Sequence, residues 1–113
     1  MLALITGASN GLGKDFAKEL SKQGYDLVLV ARSKDKLDKL SSELKTLVYV
    51  EVMDLSVKEN AYKLYSKYKG KIDLLINNAG FGTFGEFTKT DLETELNMID
   101  LNITAYHILT KLF

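Results

Sequence analysis

An unbroken apolar run, Leu2-Ala3-Leu4-Ile5, leads straight into Thr6-Gly7-Ala8-Ser9-Asn10-Gly11-Leu12-Gly13, a turn whose three glycines are spaced Gly-x-x-x-Gly-x-Gly. A run that is apolar at every position is a strand buried on both faces, the mark of a parallel sheet. Past the turn the chain reads as a helix that begins near Gly11. Backbone without Cβ atoms can approach a phosphate closely, and a helix N-terminus offers free N–H groups to an anion. The order strand, glycine turn, helix therefore points to a bound dinucleotide.

The rest of the chain continues the alternation. The spacing predicts a strand over 2–6 and a helix over 11–23, with Leu12, Phe16, Ala17 and Leu20 on its apolar face and Gly24 as its stop. A second buried strand is expected over 26–31, then a charged helix at about 34–45 with Leu37, Leu40 and Leu44 as a narrow apolar stripe. A third strand covers 47–52. Ser56 is a candidate N-cap, with Glu59 completing a capping box, for a helix that runs to about Lys69 and ends at Gly70. A fourth strand is expected over 72–77, a loop over 79–90, and a last helix from about Asp91 to the end. Strands alternating with helices on short connections give an α/β fold, a doubly wound parallel sheet. Right-handed crossovers set the strand order 3-2-1-4.

At 113 residues the chain makes one domain at most. Fifteen basic and fifteen acidic side chains cancel, which weighs against a nucleic-acid partner. With no cysteine, disulfides, thiolate metal sites and a cysteine nucleophile are excluded, and no metal site is expected. No apolar run approaches the ~18 residues of a membrane-spanning helix, and no secretory signal is evident, so a cytoplasmic protein without a membrane partner is expected. Strand 4 would sit at an open edge, and residues from Met98 to Phe113 are apolar nearly all round the last helix. Both features call for further structure beside them. The expectation is that the fold is incomplete, the N-terminal portion of a single nucleotide-binding domain.

Three strand ends carry the remaining motifs. The glycine turn does not fit a P-loop: Gly7 to Gly13 is one residue too long, and Asp15 follows Lys14 where a hydroxyl should stand. Taken alone, its glycines would also serve a tight strand-to-helix turn. Binders of the unphosphorylated cofactor place an acid about 20 residues past the glycines, to grip the ribose hydroxyls. Here Ala31-Arg32-Ser33 stands instead, with Lys36 nearby. A guanidinium pairs bidentately with a 2′-phosphate, which favours NADP(H) over NAD(H); the plain alternative is a solvated arginine. Asp54-Leu55 ends strand 3, where an adenine would lie, although Asp at a strand end is also common turn chemistry. Asn77-Asn78-Ala79-Gly80 ends strand 4, at the carboxyl edge where such sheets bind ligands.

With these motifs in place, the chain resembles the short-chain dehydrogenases/reductases of the NADP(H)-preferring type over all 113 residues. The resemblance implies that Gly7, Ser9, Asn10, Gly11, Leu12 and Gly13 contact the pyrophosphate and adjacent ribose. Arg32 and Ser33 would take the 2′-phosphate, Asp54 and Leu55 the adenine, and Asn78, Ala79 and Gly80 the central ribose. Asn102 matches the family's catalytic asparagine, and asparagine is unfavourable in mid-helix unless its side chain is used; a solvent-facing Asn102 is the alternative. The implied reaction is hydride transfer between the nicotinamide and a small-molecule carbonyl or alcohol substrate, with a tyrosine moving the proton and a lysine lowering its pKa. A homo-oligomer is expected.

The family's catalytic serine and its Tyr-x-x-x-Lys pair lie downstream of this point. Tyr65 and Lys69 have the spacing, but on a charged helix at the wrong edge, where they read as an exposed pair. His107, the one histidine, is expected in a core or an interface. The loop Gly80-Phe81-Gly82-Thr83-Phe84-Gly85 is a candidate substrate wall through Phe81 and Phe84. The expected protein is thus an NADP(H)-dependent carbonyl reductase or alcohol dehydrogenase, represented by its cofactor-binding half and inactive alone. The alternative is a non-catalytic dinucleotide-binding or sensing module that dimerises. A flavodoxin-like signalling domain lacks its acidic cluster, since Thr6-Gly7 occupies the end of the first strand.

Overall fold

The computed structural model describes residues 1–79, 92–93, 96 and 104–113. Four parallel strands form one sheet: β1 (Leu2–Thr6), β2 (Asp26–Ala31), β3 (Val48–Val52) and β4 (Leu74–Ile76). Their order is β3-β2-β1-β4, as the right-handed crossover rule dictates. The connecting helices are α1 (Gly11–Lys22), α2 (Lys34–Glu43) and α3 (Lys58–Tyr68), and α4 (Tyr106–Leu112) comes after them.

Alternation along β1 and β2 builds two cores. Ala3, Ile5, Leu27 and Leu29 face α1 and α2, where Ala17, Leu37 and Leu40 close the layer. Leu4, Val28 and Val30 face the opposite way, onto Ala61, Leu64 and Tyr68 of α3 and Ile108 and Leu109 of α4. A continuous apolar run in sequence thus becomes two faces, each covered by helices, and the sheet is doubly wound.

Four local expectations are corrected. The buried stripe of α1 is Gly13, Ala17 and Ser21, whereas Leu12 is 63% and Phe16 38% exposed. Small residues at i, i+4, i+8 bring the helix axis close to the sheet and rotate the larger side chains outward. The N-cap of α3 is Val57, not Ser56, and no side chain caps that helix. Ser56 is engaged elsewhere: its backbone N–H and its hydroxyl both donate to Asp54 Oδ1, at 2.9 and 2.7 Å. This Asx turn uses up the cap and delays the helix. Strand β4 is only three residues long, because the Asp73 carboxylate takes the Leu2 N–H at one end and the Thr6 hydroxyl takes over the ladder at the other.

The fourth correction concerns the aromatic and histidine positions. Tyr65 is half-buried, with its ring edge-on to Phe113 at 5.2 Å between centroids, while Lys69 is exposed. His107 is exposed, which excludes the core. Within 104–113 the helix is one-sided: Ala105, Ile108 and Leu109 are buried while Thr110 and Lys111 are exposed. Among the described residues, no helix is long and apolar enough to cross a membrane.

Candidate functional site

The carboxyl ends of β1, β2, β3 and β4 surround a cleft of about 340 Å³. Gly7, Ser9 and Asn10 line it from the glycine turn, Arg32 and Ser33 from the β2–α2 connection, and Lys36 from the first turn of α2. Asp54 and Leu55 contribute from the end of β3, and Asn78 and Ala79 from the end of β4. Four motifs spread over more than seventy residues of sequence therefore meet at one opening. Gly11, Leu12 and Gly13 lie in the adjoining first turn of α1. Gly80, Asn102, Phe81 and Phe84 lie outside the described residues.

The turn is held by Thr6, which is fully buried. Its Oγ1 accepts the backbone N–H groups of Asn78 and Ala79, each at 2.9 Å, and its hydroxyl donates to Asn77 Oδ1 at 3.5 Å. The Asn78 amide in turn donates to the Gly7 carbonyl at 3.3 Å. One threonine hydroxyl thus ties the ends of β1 and β4 together and fixes both loops. Sequence reading missed this role; the signal available was a polar residue at the end of an all-apolar strand.

Glycine is required here for two different reasons. A Cβ on Gly13 would lie 2.2 Å from the Gly7 carbonyl oxygen and 2.7 Å from Asn78 Nδ2, so only glycine fits the contact between turn and helix. Gly11 has φ +52°, but a Cβ there would meet nothing within 4 Å. At that φ a side chain would be strained, and the bare backbone there faces open space. Asn10 is the N-cap of α1 yet makes no capping bond, so the first-turn N–H groups have no side-chain partner from that position.

Electrostatics divide the cleft. Arg32 has no carboxylate partner among the described residues, and the Lys36 ammonium donates to Asn10 Oδ1 at 3.3 Å. Ser33 Oγ accepts the Lys36 N–H at 3.4 Å and caps α2. On the far side, Asp54 is committed to Ser56, while its own carbonyl accepts from the Asn60 amide at 2.8 Å. The β2 end of the cleft is cationic, and the β3 end holds an oriented carboxylate.

Fold and cleft together define the class: an α/β domain of the Rossmann type with its opening at the carboxyl edge of the sheet. The family model for short chain dehydrogenase matches residues 1–113. The chain belongs to that family, whose members bind a nicotinamide dinucleotide. It is 37% identical over 119 residues to a very-long-chain 3-oxoacyl-CoA reductase of Homo sapiens, covering 97% of this chain and 38% of that one. An uncharacterized oxidoreductase of Staphylococcus epidermidis is also 37% identical, over 96% of this chain and 49% of its own length. Among solved structures, a short-chain dehydrogenase from Sphingobium yanoikuyae in complex with NADPH superposes with a TM-score of 0.89 at 35% identity, over 97% of this chain and 46% of that one. The chain spans less than half the length of each of these relatives.

Proposed function

We propose that this chain is the cofactor-binding part of an NADP(H)-dependent oxidoreductase acting on a small-molecule carbonyl or alcohol. The observation that carries the reading is the convergence of the glycine turn, Arg32-Ser33, Asp54-Leu55 and Asn78-Ala79 on one cleft. The bare backbone at Gly11 and the open first turn of α1 suit a pyrophosphate. Arg32 and Lys36, with no acid at the end of β2, suit a 2′-phosphate rather than free ribose hydroxyls. Asp54 is oriented to accept from an adenine amino group beside Leu55, and Asn78, Ala79 and Gly80 would lie along the central ribose.

When bound, the dinucleotide supplies or accepts a hydride, and the protein contributes binding, orientation and electrostatics. The share of this chain is to grip the adenosine and pyrophosphate end. Asn102 is assigned to the proton-transfer machinery on its position after the Asn-Asn-Ala-Gly loop. The resemblance puts the family's serine and tyrosine–lysine pair downstream of these motifs, so the chain alone is read as binding without turnover. Assembly into a homo-oligomer and a cytoplasmic location complete the proposal. Support for NADP(H) comes also from the neighbour from Sphingobium yanoikuyae, which was solved with NADPH.

Calorimetric titration of the purified chain with NADPH and NADH tests the reading. Tighter binding of NADPH supports it, and equal affinities overturn the 2′-phosphate assignment. A folded chain that binds neither overturns the site. Steady NADPH oxidation by the pure chain with any carbonyl would refute the inactivity.

A further inference from the structure

Among the described residues, β3 pairs with β2 alone and ends the sheet. The Leu47 carbonyl accepts from Leu27 and the Met53 N–H donates to Ala31, so the odd-numbered residues of β3 turn their backbone groups to β2. Alternation then aims the N–H and C=O groups of Val48, Val50 and Val52 outward. Apolar side chains are exposed along the same strand and its approach, at Leu47, Tyr49 and Val52. Folded proteins guard such edges with charges, bulges or proline. The one charge of β3 is Glu51, and the fold withdraws it. Its Oε1 accepts the Tyr68 hydroxyl at 2.7 Å and the Lys67 ammonium, and the side chain is only 12% exposed. The edge that remains is β-branched, apolar and unguarded.

We infer that two copies of this chain join through β3, antiparallel about a twofold axis at Val50. The inference rests on the homo-oligomer reading and deepens it by naming the surface. A twofold brings a patch against itself, and one edge strand can meet its own copy only antiparallel. With the axis at Val50, that residue exchanges both backbone bonds with its counterpart, and Val48 exchanges both with the partner's Val52. Every outward backbone group of the strand is then satisfied. The side chains agree with this register. Tyr49 falls opposite the partner's Glu51, whose charge is already held, and Leu47 falls opposite the partner's Met53. An axis at Glu51 would set two carboxylates face to face, and an axis at Tyr49 would set Val52 against Thr46, before the strand begins. Fifteen basic and fifteen acidic side chains cancel, so no net charge drives two copies apart. None of the residues of β3 lines the cleft, which stays open in the pair.

The chain has no cysteine, so an introduced one is its only thiol. Opposed Cα atoms in a hydrogen-bonded antiparallel pair lie about 5.5 Å apart, within the span of a disulfide. Mild oxidation of the full chain carrying Val50→Cys should therefore give a covalent dimer. Val52→Cys is the control: position 52 is the more exposed, but it lies roughly 14 Å from its counterpart and should not cross-link. In analytical ultracentrifugation the wild-type chain should sediment as a dimer. Val52→Lys should raise its dissociation constant on the order of a hundredfold, about tenfold for each of two ammonium groups set against a valine. Circular dichroism checks that this variant keeps its fold, and if it does not, the cysteine pair decides alone. A dimer that cross-links as readily at position 52 as at position 50, or a folded Val52→Lys chain that dimerises as the wild type does, overturns the inference while the homo-oligomer stands. A wild-type chain that is monomeric throughout overturns both.

Discussion

Thr6→Val is the most informative single change in this chain. Valine matches threonine in shape, so the core contacts of the end of β1 persist and only the hydroxyl is lost. That hydroxyl accepts two backbone N–H groups at 2.9 Å and reaches Asn77 at 3.5 Å. Each donor left without a partner costs ~1–3 kcal/mol when buried. Asn78 and Ala79 are only half-buried, so water relieves part of the loss, and the lower half of that range applies. Two donors then give ~2–4 kcal/mol, a large share of the ~5–15 kcal/mol that holds a typical domain together. In urea unfolding monitored by circular dichroism, the midpoint should fall by about 1–2 M at a typical slope. Thr6→Ser keeps the acceptor and should lose only about the 0.8 kcal/mol of one methyl group. NADPH affinity should fall in the same order, since the staple holds Ala79 against Gly7. A Thr6→Val chain within about 0.5 kcal/mol of the native one, or a serine variant equally impaired, would refute the role of the hydroxyl.

Four further expectations can be checked directly. Gly13→Ala forces a Cβ to within 2.2 Å of the Gly7 carbonyl oxygen, so thermal melting should show a loss of ~1–3 kcal/mol together with loss of NADPH binding. Gly11→Ala meets no neighbour and should cost only the ~1–2 kcal/mol of its positive φ, yet calorimetry should show dinucleotide affinity falling as far. Tyr68 has its pKa raised above the ordinary value, first by burial and then by its hydrogen bond to Glu51 at 2.7 Å. A raised folded-state pKa means stability that is present below about pH 10, the ordinary tyrosine value, and is lost as pH rises towards the folded value. Phenolate absorbance should therefore show one of the six tyrosines resisting ionisation until the chain unfolds, and Tyr68→Phe should remove that lag. Arg32→Ala should weaken NADPH by about tenfold and NADH little, with the difference shrinking in high salt.

The sheet was legible because its signal is local. Each strand announces itself as a short apolar run, each turn as a glycine or a polar pair, and handedness does the rest, so β3-β2-β1-β4 needs no contact information. The convergence of the motifs has the same origin: in a parallel sheet every strand's carboxyl end lies on one edge. Hydrophobic periodicity fails at α1 because it weights side chains by size. The buried face is that of Gly13, Ala17 and Ser21, where even a Cβ on Gly13 would meet the Gly7 carbonyl and the Asn78 amide, while Leu12 and Phe16 point outward.

The bonds that organise the cleft were illegible for a different reason: they are polar, singular and long-range. Thr6 meets Asn78 and Ala79 across more than seventy residues, and Lys36 meets Asn10 across 26. No periodicity encodes such a pairing, because each partner also has an ordinary local use. Threonine fits a strand, asparagine caps a helix and lysine solvates a surface. Asp54 shows the same competition settled locally: its carboxylate takes Ser56 two residues on, and the capping box that Ser56 and Glu59 spell never forms. Where a short polar residue has both a local and a distant partner on offer, the sequence states the options and the packed sheet chooses. In this fold that choice is made at the carboxyl edge, where strands end, backbone groups lose their ladder partners, and side chains such as that of Thr6 must satisfy them.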